Sequence, residues 1–451
     1  MKMEQSANAS VQDGEESLLK IRIDRMHKKL KEPPRLLSPT AGKSTCSIFR
    51  VPQTMIDSNG RCYEPRVVSV GPYHRGKTQL KMMEEHKWRY LNALVTRTHE
   101  TKSLTLEDYM KTAKNVEEAA REVYSESIHM DSDEFNEMMV LDGCFILELF
   151  RKVSDVVPFQ QDDPLVTMAW VLPFFNRDFL RLENQIPFFV LEALFDLTRS
   201  DDDERQSNSS LQSLAFAFFT NTMDRPEQDL ARFKDLKAKH LLDLVRSSLI
   251  PESKLPAKSR TTNPEKKKTP SYIIHSISKL RQAGIKIREL KDEESFLVVR
   301  FRHGAIEMPR IVVDDFMGSF FPNCVAYEQC YVACSKHFTT YATLLDCLMN
   351  INKDVEYLCE QKIIENYFGT ESAVAGFVNT LGRDVAFDIE KCYLKELFIE
   401  VNEYYNNSRH VTWASFKNTY FSSPWSFISA LAALILLILS IVQTIFTVYP
   451  R

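Results

Sequence analysis

Three carboxylates in apolar surroundings are the residues of this sequence that could most readily do chemistry. Asp142 and Glu148 lie in NEMMVLDGCFILELFRKV (136–153), and Glu183 lies between two further apolar runs. Two carboxylates held near each other, or a carboxylate beside a histidine such as His74, can act as acid and base. The sequence therefore offers one candidate for an acid–base site.

The same runs also supply counter-charges for these carboxylates. Arg151 lies one helical turn after Glu148, and Arg181 lies two residues before Glu183. Because buried charges are normally paired, we expect ion pairs and hydrogen bonds that fix helix packing. Convergence of the carboxylates and His74 on an open pocket would instead favour an enzyme.

A second group of candidates consists of soft metal ligands. Helical spacing would place Cys330, Cys334 and His337 on one face, and Cys324 is near enough to complete a set of four ligands. Structural zinc sites usually present Cys-x-x-Cys pairs on tight turns, whereas these cysteines alternate with core residue types. The pattern favours buried thiols, and we predict no metal site.

The common catalytic and cofactor-binding motifs are absent. Residues 41–45 read AGKST, the end of a phosphate-binding loop, but Leu37 occupies the place of the first required glycine. Nucleophile elbows, His-Glu-x-x-His helices and Gly-x-Gly-x-x-Gly turns do not occur. We predict a protein that is not an enzyme, with no catalytic residue and no cofactor. An enzyme of unrecognised type with a carboxylate-based site is the alternative.

Composition indicates a globular protein in a reducing compartment. Of the 451 residues 44% are apolar, and a formal charge of −4 gives no electrostatic reason to expect nucleic acid as a partner. The nine cysteines are odd in number and dispersed, which predicts reduced thiols. The polar, acidic N-terminus does not resemble a secretory signal, so the sequons at Asn8, Asn208 and Asn406 are expected to stay unglycosylated.

The run from Phe427 to Tyr449 has the length and composition of a transmembrane helix. It contains no charged residue, and at 1.5 Å per residue it would extend about 35 Å, enough to cross the hydrocarbon core of a bilayer. Trp425 and Tyr449 are aromatic residues of the kind found at membrane interfaces. We predict a single-pass membrane protein that contacts the lipid bilayer through this run, in the plasma membrane or the endoplasmic reticulum.

The flanks of this run predict its orientation. Arg409 and Lys417 precede it, and only Pro450 and Arg451 follow it in the sequence. Basic residues are enriched on the cytoplasmic side of membrane spans. The expectation is therefore a tail-anchored protein with most of the chain in the cytosol.

The N-terminal residues 1–45 are predicted to form a polar arm with an amphipathic helix near residues 17–32. Its apolar residues are spaced four, three and four positions apart, which gives one stripe on a helix: Leu19, Ile23, Met26 and Leu30. Basic residues flank the stripe. Packing against the protein's own domain is the preferred interpretation, and binding to a partner or a membrane surface is the alternative.

Residues 46–422 are predicted to form one mostly helical domain with exposed loops near 200–210 and 251–271. A helix beginning at Arg177 is expected to end near Gln185, and another to begin at Pro187. Period-two runs between 285 and 313 predict a small antiparallel sheet, and residues from Asn323 to Tyr405 are predicted to be helical. The predicted fold class is mainly α-helical with a small antiparallel β-sheet (α+β), plus one C-terminal transmembrane helix.

Several motifs, in this order, resemble those of the plant family known as domain of unknown function 247, also called uncharacterised plant protein family 0481. They are YEPRVVSVGPYHRG (63–76), EEHKWRYL (84–91), VLDGCFILELF (140–150), LENQIPFF (182–189), MPRIVVDD (308–315), AYEQC (326–330), YATLLDCLMNINKDVEYL (341–358) and YFSSPWSFISALAALILL (420–437). Together they extend from about Cys46 to the end of the sequence.

The resemblance implies a plant source, a cytosolic domain on a C-terminal membrane helix, and no established biochemical activity. Some grass members of the family are associated with self-incompatibility recognition. This association implies that the family acts through specific contacts between proteins. The function expected on this basis is a membrane-tethered interaction or recognition module, in signalling or self/non-self recognition. Its protein partner is unknown, and its oligomeric state is left open.

Overall fold

The structure, a computed structural model, describes residues 18–31, 37–199, 210–223, 231–251, 274–291, 293, 295–407 and 424–448. The predicted loops at 200–210 and 251–271, the sequons at Asn8 and Asn208, and Tyr449 lie wholly or almost wholly outside these ranges. Most of the described residues are helical, so the mainly α-helical fold class is confirmed.

The α-helices are numbered in chain order: α1 18–31, α2 Gln53–Asn59, α3 Lys81–Lys102, α4 Leu106–Glu122, α5 Ser132–Val153, α6 Pro164–Thr167, α7 Leu172–Asp178, α8 Phe188–Thr198, α9 Leu211–Met223, α10 Leu241–Leu249, α11 Ile277–Gln282, α12 Met317–Cys330, α13 His337–Leu348, α14 Asn352–Glu360, α15 Glu371–Leu381, α16 Lys395–Tyr405 and α17 Pro424–Val448. Short 3-10 helices are Gly60–Tyr63, Thr78–Leu80, Ala169–Val171, Ala231–Phe233 and Ile389–Lys391.

Helix α5 lies at the centre of the core, as its apolar composition predicts. The carboxylate of Asp131 accepts a hydrogen bond from the backbone N–H of Glu134 and caps the helix N-terminus. Arg151 and Lys152 in the last turn interact favourably with the negative end of the helix dipole. Helices α3, α4, α8 and α9 pack around it. A helix that is covered on all sides has no solvated face, which explains why its sequence has no polar stripe.

The helix predicted from Arg177 to near Gln185 is wrong at both ends, since α7 begins at Leu172 and ends at Asp178. The chain after Asp178 leaves the helix because polar side chains compete for its backbone groups. The Nε2 of Gln185 donates to the carbonyl oxygens of Phe179 and Arg181, at 2.7 and 2.8 Å, and so closes a compact loop. Pro187 then stands immediately before α8, at the predicted helix start.

The predicted small sheet is present, but its three strands are mixed in direction rather than all antiparallel. Strand β2 (Arg300–Arg302) pairs antiparallel with β3 (Ala305–Met308) through a turn at His303-Gly304, where both residues have positive φ. Strand β1 (Lys286–Glu289) pairs parallel with β3. The chain between β1 and β2 crosses the sheet, so β1 reaches the free edge of β3 instead of pairing with β2.

The period-two runs predicted the residues of the next strand, β4 (Ile311–Val313), but not its pairing in a second, two-stranded sheet. Pro309 separates β3 from β4, and β4 pairs parallel with β5 (Ile364–Asn366). The helical prediction across β5 is wrong, since α14 ends at Glu360 and Lys362 adopts a left-handed φ of 60°. A strand of three residues between helices is too short to show a recognisable alternation of apolar and polar residues.

Two helices at the ends of the described chain leave their apolar residues exposed. Every residue of α1 is exposed, so the described part of the protein does not cover the stripe that the preferred prediction packed against the domain. Within α17, residues 428–445 are long and apolar enough to cross a membrane, and none of this stretch is buried. A core helix of a soluble protein would be mostly buried, so α17 does not have that role in the described chain.

Candidate functional site

The segment from Arg66 to His74 passes through the protein interior without regular secondary structure. Residues 68–71 are buried, so their backbone N–H and C=O groups need partners other than water. Two of the candidate carboxylates, Asp142 and Glu183, meet this segment together with the motif segments around 84–91 and 182–189.

Asp178 and Asn184 bind the first half of the segment. The Asp178 carboxylate accepts the backbone N–H groups of Arg66, Val67 and Val68, at 2.7 to 3.1 Å. The amide of Asn184 receives the N–H of Val70 at 2.7 Å and donates to the carbonyl of Val68 at 3.1 Å. Side chains thus replace the neighbouring strand that this extended backbone lacks.

Lys87 and Asp142 bind the middle of the segment. The fully buried Lys87 Nζ lies 2.6 Å from the Asp142 carboxylate, 2.6 Å from that of Glu84 and 2.6 Å from the carbonyl of Ser69. Asp142 also accepts the N–H of Gly71 at 2.8 Å. Burial raises the pKa of Asp142, against the opposing charge of Lys87. The ammonium group has a partner for each of its three hydrogens.

Glu183 is the carboxylate closest to a histidine. Its oxygens accept the N–H of Val51 at 2.8 Å and a nitrogen of Arg50 at 2.9 Å, and His74 Nε2 lies 3.2 Å away. Burial acts to raise the pKa of Glu183, but its contacts with His74, Val51 and Arg50 hold it below the usual value. Burial lowers the pKa of His74, which favours its neutral form.

Glu148 is separate from this group. Both of its oxygens bind the Arg97 guanidinium, at 2.5 and 2.7 Å, in a bidentate pair that joins α3 to α5 nearer the C-terminal ends of these helices. Arg151, the partner expected from the sequence, instead donates to the hydroxyl of Thr198 at 3.1 Å. The sequence predicted the ion pairing of these carboxylates but not the partners, because Arg97 lies 51 positions away from Glu148.

Arg181 also binds a different carboxylate from the one expected. Its Nε lies 3.0 Å from Asp178, and its terminal nitrogen donates to the carbonyl of Cys62. Arg50, which sequence reasoning did not single out, takes the place beside Glu183. No local pattern could have identified Arg50, since it lies 133 positions before Glu183.

The four soft metal-ligand candidates do not share a helical face. Helix α12 ends at Cys330, Cys334 follows in a turn, and His337 begins α13. The His337 ring stacks on Tyr393 with centroids 4.4 Å apart. Burial raises the pKa of the Cys330 thiol to about 12 and that of Cys334 to about 11, which favours neutral thiols. In the described ranges no three His, Cys, Asp or Glu side chains are grouped to hold a metal.

Another buried ion pair joins the AYEQC segment to helix α10. Arg246 donates to Glu328 at 2.7 Å, and Glu328 also accepts the N–H groups of Phe338 and Thr339 at 3.1 and 2.7 Å. One carboxylate therefore both neutralises a buried arginine and caps the first turn of α13. The AGKST residues at 41–45 form turns, and the described residues 37–40 before them contain no strand of the kind that precedes a phosphate-binding loop.

The geometry is that of a polar core in which the buried carboxylates are paired with basic side chains. Asp142, Glu148, Glu183 and Glu328 are each less than 10% exposed, and each is bonded to a basic side chain. Backbone groups of an irregular buried segment use most of the remaining hydrogen-bonding capacity. Such an arrangement fixes the packing of several helices around the 66–74 segment.

Comparison with known proteins is consistent with the motif order. The model of a family described as plant protein of unknown function matches residues 48–439. UPF0481 protein At3g47200 of Arabidopsis thaliana is 37% identical over 428 residues, which cover 91% of this chain and 88% of that protein. Putative UPF0481 protein At3g02645 of the same species is 22% identical over 493 residues, covering 88% and 89%. No solved structure matches the chain.

Proposed function

The chain belongs to the DUF247 family of plant proteins of unknown function, and from that premise we propose that it is a membrane-anchored interaction or recognition module. Helix α17 is proposed to anchor it and the large helical domain to bind an unidentified protein partner on the cytosolic side. The observation that carries the proposal is an exposed apolar helix joined to a domain whose candidate catalytic carboxylates are closed in ion pairs.

Helix α17 supports the anchoring part. It runs from Pro424 to Val448, 25 residues, and would extend about 37 Å at 1.5 Å per residue. This exceeds the hydrocarbon thickness of about 30 Å, so the helix is long enough to cross with some tilt. Large side chains along it, including Leu436 at 66% exposed, have no cover from the described protein. A lipid bilayer would provide that cover.

The cysteines and the flanking charges support a cytosolic domain. All nine cysteines are free, and none is paired in a disulfide. Secreted and luminal domains commonly form disulfides, whereas cytosolic proteins keep thiols reduced. Arg409 and Lys417 lie on the domain side of the apolar helix, as expected for a cytosolic flank. The plasma membrane and the endoplasmic reticulum are the proposed locations.

The proposal is tested by protease protection in sealed vesicles with the cytosolic side outward. We expect digestion of the domain while α17 stays protected, and a copy truncated at Ser423 should leave the membrane fraction. Affinity capture should recover the same partners only with the anchored chain. Protection of the domain would overturn the cytosolic orientation, and reproducible turnover of a small substrate by the domain would overturn the non-enzymatic role.

His74 and Glu183 provide the one observation that favours the alternative, an enzyme with a carboxylate-based site. Their 3.2 Å contact joins a histidine and a carboxylate, the usual partners in proton transfer. Replacing Glu183 by glutamine and assaying hydrolysis of model esters and phosphoesters tests it. Activity in the natural protein that the variant loses, at unchanged melting temperature, would favour the enzyme.

A further inference from the structure

Helix α1 carries an apolar stripe that the described protein leaves uncovered. Its members are between 42% and 79% exposed: Leu19, Ile23, Met26 and Leu30. At about 100° per residue they fall within a sector of roughly 60°. An isolated helix of 14 residues is only marginally stable in water. Helix α1 would therefore be stabilised by a surface that buries its apolar stripe.

The remaining faces of α1 are strongly basic. Six of its residues are lysine or arginine and one, Asp24, is acidic, which gives a net charge of +5 with histidine neutral. The basic residues border the stripe on both sides and extend to the opposite face, which they share with Ile21: Lys20, Arg22, Arg25, Lys28, Lys29 and Lys31. Long basic side chains beside an apolar stripe can keep their charges at lipid headgroups while the stripe enters the acyl region.

We propose that α1 binds flat on the surface of an anionic lipid bilayer, with the stripe inserted and the basic residues at the headgroups. This inference rests on the proposed anchoring through α17. The 16 residues between 407 and 424 permit a separation of at most about 60 Å between the domain and the membrane end of α17. A tether of that length keeps α1 close to one leaflet, so weak surface binding becomes effective.

The charge of α1 favours this occupant over a second copy of the chain. Two copies of α1 placed stripe to stripe would bring two basic helices together, and their like charges repel. Cytosolic leaflets carry negative surface potential from anionic lipids, which attracts basic helices next to the membrane. The surface of an anionic bilayer therefore complements both the apolar stripe and the basic faces of α1.

The test is amide hydrogen exchange of the full chain reconstituted at one chain per lipid nanodisc. Discs of phosphatidylcholine alone are compared with discs containing about 30% phosphatidylserine. We expect amides of residues 18–31 to exchange at least about tenfold more slowly in the anionic discs, and high salt to remove the difference. Equal exchange in the two lipids would overturn the proposal, as would protection that requires two chains per disc.

Two isoleucines provide matched variants. Ile23 lies in the stripe, whereas Ile21 lies about 160° away around the helix and is also exposed. Ile23→Ser should abolish most of the lipid-dependent protection, and Ile21→Ser should retain it. An equal effect of both would overturn the geometry proposed for α1.

Two other helices serve as internal readouts in the same experiment. Amides of α5 report whether each variant is folded. Amides of residues 428–445 report the anchor, and we expect them to be protected in both lipids. Fast amide exchange at 428–445 would count against the proposed anchoring. The difference in exchange at 18–31 between the two lipids tests the proposed binding of α1 independently.

Discussion

His240 and Ser47 are joined across 193 positions of sequence, with the Nε2 of the histidine 3.1 Å from the carbonyl oxygen of Ser47. The other ring nitrogen, Nδ1, accepts the backbone N–H of Asp243 at 3.2 Å and caps α10. Nε2 must therefore donate its hydrogen to Ser47, and the ring is neutral with both nitrogens bonded. A buried histidine held in this way gives the fold a dependence on pH.

We predict that acidification destabilises the protein through His240. Burial lowers its pKa from 6.5 to about 4, so the folded state binds fewer protons than the unfolded state between these values. The stabilisation is complete above pH 6.5 and is lost as the pH falls toward 4, with a loss on the order of 2 kcal/mol at pH 5. Thermal unfolding of the full chain in detergent micelles, followed from pH 7.5 to 4.5, measures it.

His240→Asn should lower the melting temperature at pH 7.5 and flatten its decline toward acid, because asparagine cannot titrate. The matched control is His99→Asn, since His99 is exposed at the end of α3. An unchanged pH profile in the His240 variant would assign the acid sensitivity to other groups, such as His337, whose pKa is also lowered to about 4 by burial.

Removing one charge of the buried Lys87–Asp142 ion pair is predicted to lower the stability of the protein strongly. Lys87→Met leaves Asp142 buried without its counter-charge, and we expect a loss of about 3 to 5 kcal/mol in the free energy of unfolding. Lys87→Met combined with Asp142→Leu should recover part of the loss, because no unpaired charge remains. Chemical unfolding of the variants in micelles measures both changes.

An exposed lysine provides the control for that pair. Lys111 forms an ion pair with Glu107 one turn away on the surface of α4. Lys111→Met removes the same charge and should leave the midpoint of unfolding unchanged. Equal losses for Lys87→Met and Lys111→Met would show that burial does not govern the effect.

The helical architecture could be predicted from the sequence because it depends on local pattern. Residues 136–153 have the all-round apolar character of a helix that is covered on every side, and the apolar run from Phe427 predicted the C-terminal helix. The pairing of buried charges depends on contacts between distant residues, which no local pattern specifies. Arg97 with Glu148 and Arg50 with Glu183 show this, since neither arginine lies near its carboxylate in sequence.

The mixed strand directions of the small sheet also depend on contacts that local pattern does not specify. Local periodicity identified strands β1, β2 and β3, but their pairing depends on the path of the chain between 290 and 299. The end of α7 at Asp178 likewise depends on a distant segment, because the Asp178 carboxylate serves the backbone at 66–68.

Gly71 is predicted to tolerate no side chain. Its φ is +76°, and a Cβ atom there would lie 2.4 Å from the carbonyl oxygen of Gln185. Gly71→Ala should therefore destabilise the protein by several kcal/mol, roughly 2 to 4, because backbone atoms cannot give way as a flexible side chain can. Gly376→Ala is the control, since Gly376 lies in α15 with open space around it, and alanine there should stabilise by up to about 1 kcal/mol. Equal melting temperatures for the two variants would contradict the close approach at Gly71.

Asp178 is predicted to be the main support of the irregular 66–74 segment. Asp178→Asn keeps the shape of the side chain but replaces one acceptor oxygen by an NH₂ group, which then faces backbone N–H donors or Arg181. Leaving buried donors without an acceptor costs about 1 to 3 kcal/mol, so the free energy of unfolding should fall by roughly this amount. The amides of Arg66, Val67 and Val68 should also exchange faster than those of α5, since the loss is local.

The control is Asp315→Asn, because Asp315 is 85% exposed and lies 3.2 Å from Arg177 on the surface. It should change neither the melting temperature nor the exchange at 66–68. If exchange at these three amides stays slow in the Asp178 variant, the segment is held by Asn184 and Asp142 instead. The carboxylate would then serve mainly to neutralise Arg181, and Arg181→Met in the Asp178→Asn background would restore stability.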